Sequence, residues 1–440
     1  MEPMLSTIPR SKPCSLKDRA QGLLTLSHFF PKGTEYFYSF PSGENSYFYN
    51  NASPYTEELV AARALACAGK DIKVISFSAT TNPAVKELRY RLGMSSVDDA
   101  NILSLPSKIS AQALGRNRNR LVKKALQEIA TPASLIMAQP FSDAALADIY
   151  QLPPNLTIWL NDKKNISTYT PAEYVPRRIA TFQNGLIFKA HELALPIPCV
   201  IKVSSSSAGD GVCVCRNSAD ILHAKAKFGT IKGTIIVEQY IEARRNFCVQ
   251  FGIPHSYSAP IEIIGCSEQL TTPSGEFLGG IVHPNRFDPD AQEISKIVLE
   301  KILPKIQRLG WYGVGGLDAL LGTDGHFYII DSNFRMTSTI AYLFHVRCSL
   351  LKQPCITFTG SFKGDIATFQ RIILPVAKST SADQRMHTIA LSYNEGVFRF
   401  NASLLFDEPK SISKRAAYLL SLGIQSHVLE LLSKHGESNL

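Results

Sequence analysis

GLDALLGTDGHFYIIDSNFRM, residues 316–336, decides how this chain is read. Two apolar runs flank Asp324–Gly325, and an Asp-Gly pair in that setting is the strongest short hairpin signal a sequence offers. A two-residue type I′ turn there makes residues face each other when their numbers sum to 649, and Asp318 and Asp331 do so. They are expected as direct cross-strand neighbours on one face, with Cβ atoms roughly 4.5–5.5 Å apart. Two like charges opposed on a buried sheet destabilise it unless something positive lies between them. The period of two then brings Asn333 and, in an extended chain, Arg335 to the same face. Two carboxylates and an amide oxygen are hard ligands suited to Mg²⁺, which keeps its remaining sites for water and phosphate. An arginine beside them can hold a phosphate or a developing anion. The competing reading caps a strand end with Asp331 and Asn333 and pairs Asp318 with a distant lysine.

A source for the phosphate is harder to find. The chain has no G-x-x-x-x-G-K-[ST] and nothing that reads HRD or DFG, so neither a Walker loop nor a protein kinase is indicated. What it has is SSSSAGDG, residues 204–211, directly after the apolar run VIKV that carries Lys202. A lysine leaving such a strand is unfavourable unless it meets an anion, and successive N–H groups of a Ser/Gly loop can line a phosphate.

Around these motifs the chain alternates. Residues 1–30 have no clear period and are expected as a loose arm. Over 34–161, strands are expected at YFYSF (36–40), IKVISFS (72–78), SLIMAQP (134–140) and LTIWLN (156–161). Helices are expected between them, over residues 55–69, 82–93, 110–129 and 142–150. Strand and helix in turn imply a parallel, doubly wound sheet. From about residue 168 a small α+β unit follows, with strands at PCVIKV, VCVCR and TIIVEQYI and a helix over NSADILHAKAKF. Longer strands come next, then a helix over 291–309 and the 316–336 hairpin. The tail holds one hairpin, HTIALSYNEGVFRF, and two closing helices.

Composition sets bounds. With 440 residues, 45% hydrophobic and 19% charged, the chain has the balance of a folded protein of two or three domains. No apolar run reaches the ~18 residues that span a bilayer, and the N-terminus lacks an apolar core of a secretory signal. The nine cysteines are scattered without a CxxC, which fits reduced thiols and a cytoplasmic location. A net charge of +9 favours an anionic partner: a nucleotide, an acidic substrate or an acidic carrier protein. The basic run at 116–124 contains no aromatic residue, which argues against nucleic acid.

In combination, strand-lysine, flexible glycine loop, V-E-x-Y-I and then D…[DE]-x-N-x-R resemble the ATP-grasp superfamily. The overall layout is most similar to peptide ligases of the pheganomycin and butirosin type. The resemblance implies an α/β and α+β fold. Its parts would be a flexible arm (1–30), a pre-ATP-grasp α/β domain (31–161), a lid (162–242), a core (243–349) and a small C-terminal extension (350–440). It also implies roles. Lys163 and Lys202 would contact ATP phosphates, and the 204–211 loop, with Ser205, Ser206, Gly209 and Gly211, would fold over them. Glu238, with the backbone of Gln239, Tyr240 and Ile241, would read the adenine edge. Asp318, Asp331 and Asn333 would hold one or two Mg²⁺ ions, for which Mn²⁺ would substitute, and Asn333 would also touch the nucleotide. Arg335 would meet the transferred phosphoryl group and the acyl intermediate, with Lys202 beside it as a catalytic group. Against each stands a plain alternative: Lys163 as a helix-start surface residue, Glu238 as a strand end, Lys202 as a surface strand lysine.

Three positions depart from the family pattern. The second metal ligand is Asp331 where glutamate is usual, Phe334 stands where proline is common, and Asn246 occupies a place where many relatives carry an acid or histidine. The expected activity is ATP-dependent joining of a carboxylate to an amine through an acyl-phosphate, on an amino acid or peptide, by a monomer or homodimer. Glu268–Gln269, His283–Arg286 and the C-terminal cap are expected to recognise the substrate. Two other readings stay open: a catalytically weak ATP-binding regulatory or scaffold module, and a biotin-carboxylase-like enzyme, although no Met-Lys-Met biotin site is present.

Overall fold

A computed structural model describes residues 24–32, 35–39, 54–69, 71–76, 83–92, 102–104, 124, 127–128, 133–137, 150–192, 194–206, 211–272, 277–283, 288–347, 353–378, 386–394, 396–406 and 411–435. Among these residues the strands form three sheets. The first is parallel, built from β1 (Glu35–Ser39), β2 (Ile72–Ser76), β3 (Ile102–Ser104) and β4 (Ala133–Met137) in the order β3-β2-β1-β4. That order reverses direction at β1, as in a doubly wound sheet. Most of the helices expected over 110–129 and 142–150 lie outside the described residues.

LTIWLN is not a strand. Pro154 to Leu160 form a helix, and proline at the first helical position presets its backbone. The alternation of Leu156, Ile158 and Leu160 suggests period two, but the residues that become buried are Thr157 and Leu160, three apart. Nor is the arm loose at its end. Leu26–Phe29 form a 3₁₀ turn with Leu26 and Phe29 buried, and the Phe29 ring lies where a Cβ on Gly252 would come within 2.1 Å. An apolar L-S-H-F turn with a glycine to receive it outweighs the absence of a period.

The second sheet is antiparallel: β5 (Arg178–Phe182), β8 (Ile235–Gln239), β6 (Cys199–Val203) and β7 (Val212–Cys215), in that order. Strand periodicity splits its side chains cleanly. Cys199, Ile201, Val203, Ile235 and Val237 pack on the helices Gly185–Ala190 and Ser218–Phe228. Val200, Lys202, Val212, Val214 and Glu238 are left on the opposite face, toward the third sheet.

The third sheet has eight strands in the order β13-β12-β9-β10-β11-β14-β16-β15. These are β9 (Ala243–Ile253), β10 (Glu262–Thr271), β11 (Phe277–Val282), β12 (Gly313–Gly322), β13 (Phe327–Asn333), β14 (Cys355–Lys363), β15 (Met386–Asn394) and β16 (Val397–Leu405). The helical run Pro289–Arg308, interrupted by a π turn at Val298–Ile302, covers one face of the β9–β12 region. The tail is therefore more than an appended piece. Its expected hairpin forms as β15 and β16, but together with β14 it continues the same sheet, so residue 350 marks no break in it.

Glycines let chain cross this sheet closely. A Cβ on Gly316 would come within 2.8 Å of Thr337 Cγ2, one on Gly280 within 2.8 Å of Thr339 Cγ2, and one on Gly265 within 2.5 Å of Leu343 Cδ2. The segment leaving β13 can thus lie flat on the strands.

The β12–β13 hairpin contains two departures from expectation that cancel. Its loop holds three residues, Thr323–Gly325: the Gly322 amide donates to the His326 carbonyl (2.9 Å), and Gly325 has φ +82°. Asp324 caps this loop, accepting from the His326 amide at 3.0 Å and the Tyr328 hydroxyl at 2.6 Å. Near the turn, partners consequently sum to 648, as in Leu321↔Phe327. The register shifts between Asp318 and Ala319, leaving Ile330 as the extra residue of a β-bulge. Beyond it the sum is 649, and Asp318 faces Asp331.

Candidate active site

A cavity of about 540 Å³ lies between the second and third sheets. That volume is in the range of small-ligand sites. Lys163, Lys202, Ser206, Glu238, Gln239, Tyr240, Ile241, Asp318, Asp331, Asn333 and Arg335 all line it. Three expected loop residues do not join them. Ser205 is exposed and away from the lining, Gly211 is buried with its carbonyl accepting from the Val203 amide (2.8 Å), and Gly209 lies outside the described residues.

The two lysines are neither surface residues nor free. Lys163 is 3% exposed; its ammonium is 3.1 Å from Asp331 Oδ1 and donates to the Ser206 carbonyl at 2.7 Å. Lys202 reaches Glu238 Oε2 at 2.8 Å and donates to the Ile330 carbonyl at 3.2 Å. Ile330 is the bulge residue, so the irregularity that restores the Asp318–Asp331 register also turns a carbonyl toward the second sheet. Glu238 also pairs with Arg178 at 3.0 Å. Burial alone would raise its carboxyl, but Lys202 and Arg178 hold it below the usual carboxylate range.

Asp318 is in the opposite condition. Burial and the Asp331 carboxylate facing it push Asp318 up to about 6. Its oxygens accept from Gln269 Nε2 at 2.9 Å and Asn333 Nδ2 at 3.3 Å. Asp318, Asp331 and Asn333 thus gather two carboxylates and an amide on one wall, a donor set that fits a hard divalent cation.

The chain leaving the hairpin is held from behind. Asn161, at the end of the Pro154–Leu160 helix, accepts from the Phe334 amide at 2.8 Å, and the Ser332 hydroxyl donates to the Leu160 carbonyl at 2.8 Å. Phe334 fills an aromatic box, with ring centroids 4.9 Å from Trp311, 5.9 Å from Phe251 and 6.0 Å from Tyr169. Phe334 therefore anchors the chain as it leaves β13. Arg335, next in sequence, turns to the cavity, and its Nε is buried without a hydrogen-bond partner. Asn246 also lines the cavity, with Oδ1 buried and unpartnered. A buried network of Gln250, Ser267 and Thr339 fixes the segment further on.

The expected recognition pair Glu268–Gln269 divides by strand period. Gln269 faces the cavity, whereas Glu268 binds Arg245 at 2.8 Å in a cluster with Asp288 and Asp290. His283 is outside the lining, and residues 284–287 are outside the described residues. Leu320, Ile330, Arg178, Asn161 and Arg63 were not anticipated. Leu320 carried a signal, lying two residues from Asp318 on the same strand, and Arg178 was visible only as charge. Arg63 and Asn161 sit on helices far away in sequence and gave none.

Among the described residues no helix is long and apolar enough to cross a membrane. A family model described as L-aspartate–L-methionine ligase, ATP grasp, matches residues 176–333. Solved structures share the fold over most of the chain. N5-carboxyaminoimidazole synthetase from Staphylococcus aureus, complexed with ADP, is 12% identical with a TM-score of 0.53, covering 89% of this chain and 98% of that one. The L-amino acid ligase from Bacillus licheniformis is 12% identical with a TM-score of 0.51, over 90% and 99%. The biotin carboxylase–β-γ-ATP complex from Campylobacter jejuni is 14% identical with a TM-score of 0.53, over 89% and 92%.

Proposed function

We propose that this chain is a member of the ATP-grasp superfamily and an ATP-dependent ligase that joins a carboxylate to an amine. The observation that carries the reading is the convergence of Lys163, Lys202, Asp318, Asp331, Asn333 and Arg335 on one cavity between two sheets. The second sheet acts as the lid and the β9–β13 region as the core. Val200, Val212 and Val214 from the lid and Leu320 from the core give the cavity apolar walls for an adenine ring, with the backbone of Gln239–Ile241 at its edge.

Asp318, Asp331 and Asn333 would hold one or two Mg²⁺ or Mn²⁺ ions, which neutralise phosphate oxygens when bound. Lys163 and Lys202 reach the phosphates by exchanging Asp331 and Glu238 for them. A substrate carboxylate oxygen attacks the γ-phosphorus, ADP leaves, and the acyl-phosphate is attacked by an amine that expels phosphate. Arg335 holds the carboxylate and balances charge on the acyl group as it becomes tetrahedral. The lid excludes water, which would otherwise hydrolyse the acyl-phosphate.

The matching family model is named for a ligase of aspartate and methionine. Two amino acids are therefore the first substrates to try, and a supply of ATP places the reaction in the cytoplasm. The test is mass spectrometry on ATP, Mg²⁺ and pooled amino acids with the purified protein. Equal amounts of ADP and a dipeptide are expected. ADP that forms at the same rate with and without amino acids, and no new amide, would refute the ligase.

A further inference from the structure

A second cavity, of about 50 Å³, adjoins the first at Arg335. Arg335 and Met336 line both, so this short length of chain is the wall between them. The N-terminal unit supplies Leu26, Phe30 and Ile136 to the smaller cavity, and the approach to β12 supplies Trp311.

Three polar atoms interrupt this apolar lining. Arg335 Nε, Trp311 Nε1 and Gln151 Oε1 are all buried, and among the described residues none has a hydrogen-bond partner. Trp311 is 3% exposed, and its ring is committed to Phe334 and Phe251, with centroids 4.9 and 6.1 Å away. Gln151 is tied down as well: its Nε2 donates to the Tyr312 hydroxyl, which donates to the Gln151 carbonyl at 3.0 Å. Neither side chain is free to turn out to solvent, and a buried polar atom left unmet is unfavourable.

The donor set decides what fits. Two N–H groups require an acceptor, and one amide oxygen requires a donor. An anion would be repelled by Gln151 Oε1, and a cation by the guanidinium. Water both donates and accepts, and one molecule needs roughly 10–15 Å³ of such space, so the cavity admits a cluster of about three. Buried cavities stay dry when their walls are apolar, and these walls are not wholly so.

We propose that this cavity is a buried water site, through which Trp311 and Gln151 act as positioning residues for Arg335. A water on Nε fixes the plane of the guanidinium from behind and leaves its terminal N–H₂ groups for a ligand in the larger cavity. The water site stands on its own geometry. Its consequence for catalysis rests on the ligase reading, in which Arg335 holds the carboxylate and the acyl group.

Two measurements on the full chain test this. The chain has two tryptophans, so an ¹⁵N-indole spectrum has two N–H signals, and Trp311→Phe identifies one of them. Without any ligand, the Trp311 N–H should show NOE and ROE peaks to water of opposite sign, the mark of a bound water and not of proton exchange. Xenon under pressure should leave that signal in place, because xenon enters dry cavities. No such pair of peaks, or a Trp311 signal shifted by xenon, would overturn the water site.

Trp311→Phe keeps a ring against Phe334 and removes the N–H, and Gln151→Met removes the amide oxygen. With ATP, Mg²⁺ and pooled amino acids, each should lower kcat for ADP release roughly 3- to 10-fold while KM for ATP stays within about twofold. An unchanged kcat in both variants, or a KM for ATP that rises as much as kcat falls, would overturn the positioning role. If the unsubstituted protein forms no amino-acid-dependent ADP, the ligase reading fails and the positioning role with it, while the water peaks still decide the site.

Discussion

Lys163 Nζ lies 3.1 Å from Asp331 Oδ1, and both side chains face the cavity between the two sheets. A cation that pairs with a proposed metal ligand before nucleotide arrives must change partners when Mg·ATP binds. Lys163→Met should then raise the ATP concentration needed for half-maximal ADP release by about tenfold or more, because one phosphate contact is lost. Steady-state kinetics in ATP would check it, and an unchanged ATP dependence would separate Lys163 from the phosphates.

Asp318 gives a pH signature. Burial and then Asp331 push it up to about 6, whereas a free aspartate titrates near ~3.9. The folded protein thus holds this proton more tightly than the unfolded chain. Without a divalent ion, ionising Asp318 lowers stability as pH rises from about 4 to about 6, and the loss persists above that. Mg²⁺ relieves it only where Asp318 is ionised. Thermal stabilisation by Mg²⁺ should accordingly be larger at about pH 7.5 than at about pH 5. Equal stabilisation at both would contradict the assignment.

Glu238 shows the reverse sign. Burial works to raise its carboxyl, but Lys202 and Arg178 hold it below the ordinary range. Its stabilisation is complete above the unfolded value of about 4.3 and disappears as pH falls through the depressed folded value. Glu238→Gln leaves the buried Lys202 and the half-buried Arg178 without this counter-charge and should destabilise by about 3–5 kcal/mol at neutral pH. Denaturant melts should show the gap to the unsubstituted protein narrowing at about pH 3; a constant gap would mean Glu238 is not ionised in the fold.

Much of this site was legible because strand periodicity and ionic chemistry are local. VIKV places Lys202 opposite the residues that pack on helices, and VEQYI places Glu238 beside it. The Asp318–Asp331 pairing was legible for a partly wrong reason: a three-residue loop and the Ile330 bulge each shift the register by one, in opposite senses. Neither is visible in a pattern of apolar residues. LTIWLN misled because its apolar residues fit both periods and Pro154 arbitrates. Leu26–Phe29, Asn161 and Arg63 depend on tertiary neighbours far away in sequence, and β14 joins a sheet begun a hundred residues earlier.

Phe334 tests how the chain beyond the hairpin is held. Proline there would remove the amide that donates to Asn161 Oδ1 at 2.8 Å and empty the box made by Trp311, Phe251 and Tyr169. Phe334→Pro should destabilise by about 3–5 kcal/mol. Thermal melts would show it, and a stability change under about 1 kcal/mol would mean that the ring is not an anchor.

The bulge offers a geometric test. Deleting Ile330 removes the extra residue, so Asp331 follows Ile329 directly and still faces Asp318, while the carbonyl that accepts from Lys202 at 3.2 Å is lost. Mg²⁺-dependent nucleotide binding should therefore weaken by no more than about tenfold in a folded deletion variant. A fall of about 100-fold or more, as expected when a metal ligand is lost, would show that the cross-strand pairing alone does not build the ion site.

The central claim is that Asp318 and Asp331 hold the metal through which nucleotide binds. Calorimetric titration of ATP with and without Mg²⁺, into the unsubstituted protein and Asp331→Asn, tests it most directly. Binding that requires Mg²⁺ and is lost in Asp331→Asn, while the thermal melt stays cooperative, is the predicted result. ATP binding equally well without Mg²⁺, or to Asp331→Asn as to the unsubstituted protein, would contradict it.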